Sequence, residues 1–205
     1  MLLRPIRFLL TIALLLTTLS ALIPSGNVHA LTDPLDGGVL LTLNEFIGQV
    51  SNGDRGVLSG IYIPGILAAP VVQQPRGRAD FVSPWQNTVT QFSLASRFGS
   101  TGLLAHNYLA GEAFELLQKG QDIQLIHGDG TISNFTVTEI LRYQALDSDS
   151  TTSRFLDPNT NTSITSTELF TRVYIRSGQV ILQTCIQADG DPSWGRLFVI
   201  AAPSN

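Results

Sequence analysis

The run Gln179-Val180-Ile181-Leu182-Gln183-Thr184-Cys185, and after it Arg196-Leu197-Phe198-Val199-Ile200-Ala201, form the most apolar end of the chain and decide the reading of its fold. Both are short, rich in β-branched residues and separated by a polar turn over Ala188 to Gly195, the pattern of two neighbouring strands. The same pattern recurs upstream. Val57 to Ile63 reads as a strand stopped by Pro64-Gly65, and Ile66 to Val72 as a second, with Pro70 favouring an edge or a kink. Gly102-Leu103-Leu104-Ala105 is a buried-strand candidate ending at His106. Ile123 to Ile126 and Phe135 to Leu141 flank the hairpin signal Gly128-Asp129-Gly130. Helical spacing is scarce. It predicts one short helix at Phe46, Ile47 and Val50 with Asn44 as cap, and one or two turns from Glu112 to Lys119 closed by Gly120. A third begins at the capping box Thr165-Ser166-Thr167-Glu168 and runs through Phe170. The polar stretch from Asp147 to Ser166 reads as a functional or flexible loop. Many short strands with few helices predict a mostly β chain, an antiparallel barrel or sandwich.

Composition narrows the function classes. The 205 residues are 43% hydrophobic and 14% charged, which suits a packed core and not a disordered chain. A net charge of -4, with Lys119 the one lysine, leaves no basic footprint for nucleic acid. A single cysteine excludes an internal disulfide framework and a Cys-rich zinc site. Arg4 and Arg7 precede an uncharged sixteen-residue stretch, Phe8 to Ile23, then the breakers Pro24-Ser25-Gly26 and the small-residue site Val28-His29-Ala30. That layout predicts a signal peptide or N-terminal membrane anchor over residues 1–30, the only part expected to contact lipid. Residues 31–54 then read as a leader with a possible short helix, and 55–205 as one domain exported from the cytoplasm.

Cys185 ends a strand and faces loops, where sites tend to be built. A lone exported cysteine is either a small buried hydrophobe or a reactive thiol, and a reactive one needs a base and an oxyanion donor. Two histidines follow the export segment. His106 ends an apolar strand, while His127 lies in a hairpin and reads as solvated. Arg196 opens the final strand, where a hairpin of that span brings it across from the thiol.

This order resembles the sortase family. Ile181-Leu182-Gln183-Thr184-Cys185 is similar to the family's Thr-Leu-x-Thr-Cys strand, and Arg196-Leu197-Phe198-Val199 to its arginine strand. Leu103-Leu104-Ala105-His106 is similar to the strand ending in Gly-His. Ile61-Tyr62-Ile63-Pro64 with Ala69-Pro70-Val71-Val72, and Phe114 to Leu117 with Gly120-Gln121-Asp122-Ile123, complete the likeness in chain order over roughly residues 55–203. It implies a β-barrel cysteine transpeptidase acting on a surface-protein sorting-signal peptide and an amine acceptor. Cys185 would be the nucleophile, His106 the acid and then the base, and Arg196 the ligand of substrate backbone or oxyanion. Thr184 would shape the substrate pocket, and Trp194 reads either as a wall of it or as an apolar plug at a hairpin tip. Ile181, Ala105 and Asn107 stand where the family favours threonine, glycine and arginine. No cofactor is expected. Calcium is a weaker expectation of the resemblance, through Asp147, Asp149 and Asp157 or Asp189 and Asp191. A catalytically silent barrel that binds peptide or cell-wall material is the alternative. An L,D-transpeptidase-like reading from His127-Gly128 lacks the Ser-x-Gly-Cys-type motif it requires.

Overall fold

The computed structural model describes residues 41–150 and 152–204. The export segment expected over 1–30, and the leader as far as residue 40, lie outside those residues. Helix α1 (Leu43–Val50) opens the described chain, and Thr42 caps it in place of the expected Asn44. The Thr42 side chain accepts from the Glu45 N–H while the Glu45 carboxylate accepts from the Thr42 N–H, so two of the helix's orphan donors are satisfied reciprocally. The strands follow as β1 (Leu58–Ile63), β2 (Leu67–Gln73), β3 (Val89–Phe92) and β4 (Thr101–Leu104), with the single turn α2 (Ser93–Ser96) between the last two. After the turn α3 (Glu112–Glu115) come β5 (Asp122–His127), β6 (Ile132–Ala145), β7 (Phe155–Asp157), β8 (Thr162–Ile164), helix α4 (Ser166–Tyr174), β9 (Val180–Ala188) and β10 (Asp191–Pro203).

These strands pair in the order β10-β9-β4-β3-β2-β1-β5-β6-β7-β8, and β10 also pairs with β6. The second pairing closes β10 through β6 into a barrel and removes the edges, as expected of a mostly β chain. Not every join is antiparallel. β2 runs parallel to β3, with Val71 opposite Val89, and β4 runs parallel to β9, with Leu104 opposite Gln183. Each parallel pair requires a long connection, and α4 with the hairpin β7–β8 lies in the second of them. The polar stretch expected as a loop therefore contains this hairpin, Phe155 opposite Ile164, and α4 continues four residues past Phe170 to Tyr174.

Alternation sorts the side chains into two environments. Val71, Val89, Leu103, Ala105, Leu182, Leu197 and Val199 fill the barrel interior. Ile181, Phe198 and Ile200 point outward and are covered by Leu169, Val173 and Tyr174 of α4. A smaller cluster seats α1 through Phe46 against Ala68 and Ile126. Gly60 permits that seat, because a Cβ there would lie 2.9 Å from the Phe46 ring. No helix among the described residues is long and apolar enough to cross a membrane.

Phe46 is fully buried. Phe46→Ala is expected to lower stability by about 3–5 kcal/mol in urea unfolding. Gly48→Ala, at a helical position where a Cβ meets nothing within 4 Å, is expected to raise it by about 0.5–1 kcal/mol. Equal effects of the two would contradict this account of how α1 docks.

Candidate active site

The last hairpin turns on Asp189 and Gly190, whose φ values of 52° and 81° are those of a two-residue turn that suits right-twisted strands. Asp191 lies opposite Ala188, and that register, if continued, would set Trp194 against Cys185. An irregularity between Asp191 and Gly195 shifts the pairing, so the residue opposite Cys185 is Arg196. Directly opposed residues of an antiparallel pair share a face with Cβ atoms about 4.5–5.5 Å apart. Arg196 Nη1 stitches the irregularity, donating to the Ser193 carbonyl at 2.9 Å and the Gly195 carbonyl at 2.8 Å. Within the described residues its hydrogen bonds all leave from Nη1, and Arg196 lines the groove described below.

On its other side β9 pairs with β4. The parallel register runs from Thr101 opposite Val180 to Leu104 opposite Gln183, and the Ala105 N–H still donates to the Gln183 carbonyl at 3.2 Å. Continued two residues beyond Leu104, the last residue of β4, this register leads to His106 beside Cys185. Leu103 and Ala105 enter the interior, so His106 takes the outward face that Cys185 shares with Gln183 and Ile181. Arg196 thus faces Cys185 directly across the β9–β10 ladder, and the β4–β9 register, continued past the end of β4 at Leu104, leads to His106 on the other side of the thiol. All three are half-buried.

The chain after His106 holds its place by local bonds. The His106 carbonyl accepts from the N–H groups of Leu109 and Gly111, each at 3.0 Å, and the Tyr108 ring stacks on the imidazole with centroids 5.2 Å apart. Asn107 Nδ2 donates to the Pro192 carbonyl at 3.0 Å. That bond ties the histidine loop to the irregular segment carrying Arg196. Sequence reasoning missed Tyr108 and these contacts of Asn107 and Gly111; for Asn107 the one signal was its departure from the family pattern.

A groove of about 230 Å³ opens beside Arg196, floored by Gln183 and Phe198 and walled by Phe92, Leu169 and Phe170. Tyr174 donates its phenol proton to Gln183 Oε1. Burial pushes the Tyr174 phenol far up, which keeps it a donor and fixes the amide's orientation. Asp191, at the rim, has its carboxyl held below the usual range by the Ser148 side chain, then by the Ser193 N–H at 2.7 Å, with the Arg196 charge adding.

Thr184 departs from expectation. Its side chain is 2% exposed and belongs to the interior, since neighbours in a strand point oppositely and Cys185 faces out. It therefore does not line the groove. Its hydroxyl lies buried without a hydrogen-bond partner beneath Gly111, where an added Cβ would also sit 2.6 Å from the His106 carbonyl. Trp194 is half-buried within the irregular segment, two residues before Arg196. His127 lies on β5, with Nε2 3.2 Å from the Ser133 hydroxyl, three strands from Cys185 around the barrel. Among the described residues no three His, Cys, Asp or Glu side chains converge as a metal would need, and Asp157 pairs with Arg172 at 3.7 Å.

No protein-family model matches the chain, and no curated protein does. Solved structures of sortases are similar to it. Sortase C1 from Streptococcus suis is 14% identical with a TM-score of 0.49, over 80% of this chain and 78% of that one. Sortase C-1 from Actinomyces oris is 16% identical with a TM-score of 0.46, over 85% and 87%. Sortase A from Listeria monocytogenes is 13% identical with a TM-score of 0.44, over 73% and 88%.

Gly111→Ala is expected to cost about 1–3 kcal/mol by overpacking and to displace His106. Thr184→Val, which removes an unpaired buried hydroxyl at nearly constant shape, is expected to leave stability unchanged or higher. Urea unfolding of the two variants checks both signs, and marked destabilisation by Thr184→Val would show that the hydroxyl has a partner.

Proposed function

We propose that this chain is an exported cysteine transpeptidase of sortase type, which cleaves a sorting-signal peptide bond and passes the acyl group to an amine. What supports the reading is the pairing of its one cysteine with Arg196, which lines an apolar groove, and the β4–β9 register that runs on toward His106. In this reading the Cys185 thiolate attacks the scissile carbonyl carbon, and the oxyanion and neighbouring substrate backbone are bound by Arg196 Nε and Nη2. A planar guanidinium suits two parallel acceptors in a way that one ammonium does not. His106 gives its proton to the departing amine, leaving a thioacyl enzyme. It then takes a proton from the incoming amine as the tetrahedral adduct collapses and the thiolate leaves. Water in the amine's place makes the same site a hydrolase. The silent barrel remains the alternative, and the retention of all three groups counts against it.

A small charged alkylating reagent is expected to add once to folded protein, at Cys185, and to abolish transfer in proportion. His106→Ala is expected to remove turnover while the thiol still alkylates. Arg196→Lys is expected to lower kcat/KM by about 10²- to 10³-fold. These are read by mass spectrometry with sorting-signal peptides and an amine acceptor. A thiol that reacts only after unfolding, with no thioacyl adduct from any peptide, would establish the silent barrel instead.

The export segment makes a separate statement. Fractionation is expected to recover the domain outside the cytoplasm, and the mass of its native N-terminus decides between cleavage after Ala30 and a retained anchor. A cytosolic domain would overturn the proposed location.

A further inference from the structure

Gln183 lies two residues before Cys185 on β9 and shares its outward face, about 7 Å along the strand. The family strand that this chain resembles leaves that position open. Here its backbone is held on both sides, opposite Leu104 in β4 and Phe198 in β10, and its side chain floors the groove beside Arg196. One neighbour orients the amide. Tyr174 is buried, packed edge-on against Phe92 with ring centroids 5.2 Å apart and against Phe198 at 6.2 Å. Burial pushes its phenol far up, so the hydroxyl keeps its proton, and the acceptor of that proton is Gln183 Oε1. Turning the amide over would leave the phenol proton without an acceptor among the described residues. Gln183 Nε2, in contrast, donates to no described residue, and it is not among the buried polar atoms that lack a partner, so solvent reaches it.

We infer that Gln183 is a specificity-determining residue, whose amide N–H donates to a neutral amide oxygen at the end of a peptide side chain lodged between Phe92, Leu169 and Phe170. The inference rests on the transpeptidase reading above and names what the peptide carries. The groove walls are aromatic and aliphatic, so a hydrogen bond formed there is shielded from water. A hydrocarbon side chain in the same place covers the Nε2 donors and leaves them unpaired. The hydroxyls of Ser150 and Ser166, which also line the groove, offer acceptors for the substrate amide's own N–H groups. Charge favours the neutral group. The Arg196 cation has the Asp191 carboxylate near it at the rim, held ionised by Ser148 and the Ser193 N–H, so a substrate carboxylate gains little there.

The test reads a ratio, so that a general loss of rate does not imitate the result. Sorting-signal peptides in which each position is replaced in turn by glutamine, methionine or glutamate compete for the enzyme, and mass spectrometry scores thioacyl Cys185 and product. At one position glutamine is expected to be preferred over methionine, of similar length, by about tenfold, the scale of one hydrogen bond. Gln183→Leu is expected to abolish that preference. Because it strands the buried Tyr174 phenol, the double variant Gln183→Leu with Tyr174→Phe, which removes both partners, is the one that keeps the fold, and it is expected to lack the preference equally. Tyr174→Phe alone frees the amide to turn and is expected to lower the ratio. If glutamine outcompetes methionine at no position, or if its advantage survives Gln183→Leu, the inference is overturned and the transpeptidase reading stands. Glutamate preferred over glutamine at that position assigns the recognition to Arg196 and overturns the inference likewise. Failure of every peptide to load Cys185 overturns both.

Discussion

Strand β9 is hydrogen-bonded on both sides, parallel to β4 and antiparallel to β10, and the outward row at its end depends on those two registers. Arg196 is set across from Cys185 by the β9–β10 ladder itself, whereas His106 lies two residues past the last paired residue of β4. A register slip of one residue on either side would turn the partner to the barrel interior. The shift between Asp191 and Gly195 leaves the faces unchanged while exchanging Trp194 for Arg196 opposite the thiol. A local irregularity in β10 thus chooses which side chain meets the nucleophile. Arg196 in turn bonds the carbonyls of the segment that positions it.

The interior half of the same strands sets how much the site can move. Leu182, Leu197 and Val199 are essentially inaccessible, and so is Leu103 on the neighbouring strand. Packing at that density resists displacement, so the floor of the groove is rigid. The histidine is less firmly anchored, because it stands two residues past the end of β4. Its position relies on the bonds its carbonyl accepts and on the Asn107 tie to Pro192. Those contacts make the loop after His106 and the irregular segment before Arg196 one connected rim. Thr184, although next to the thiol in sequence, serves that rim from beneath, through its packing on Gly111.

What the sequence makes legible follows the range of the interactions. The hairpin at Gly128-Asp129-Gly130 and the capping box at Thr165 and Glu168 are local, and their residues announce them. Thr42 and Glu45 carried the same three-residue signature as plainly, and a polar residue nearer the apolar spacing drew the cap to Asn44 instead. β3 was hidden because Val89-Thr90-Gln91-Phe92 has no clean alternation. Its burial comes from strands and loops remote in sequence. The parallel joins have no sequence signal at all, since each unites strands separated by a long connection. Period-two alternation alone would have turned Thr184 away from the groove; resemblance to a family strand pointed the other way. The irregularity before Arg196 is written in no pattern, so the facing of Arg196 and Cys185 was readable as a possibility of hairpin span and not as a register.

The two walls of the thiol are also unlike in how they are attached, which bears on how a peptide enters. The floor strands β9 and β10 pair along most of their length, whereas β7 joins the barrel only through Gln144 opposite Leu156 and Ala145 opposite Phe155. α4 is started by its own capping box and held to the floor by an aromatic cluster, Phe92 against Tyr174 and Tyr174 against Phe198. Leu169, Val173 and Tyr174 are buried on that floor, Arg172 donates to the Tyr143 hydroxyl at 3.1 Å, and Arg176 pairs with Glu139 at 2.7 Å. The wall on the Arg196 side is therefore held to the barrel by side chains, and the registers of β9 by backbone ladders. The wall of the groove and the alignment of Arg196 with Cys185 are thus assigned to different parts of the chain, the first to residues between β6 and β9 and the second to the barrel itself.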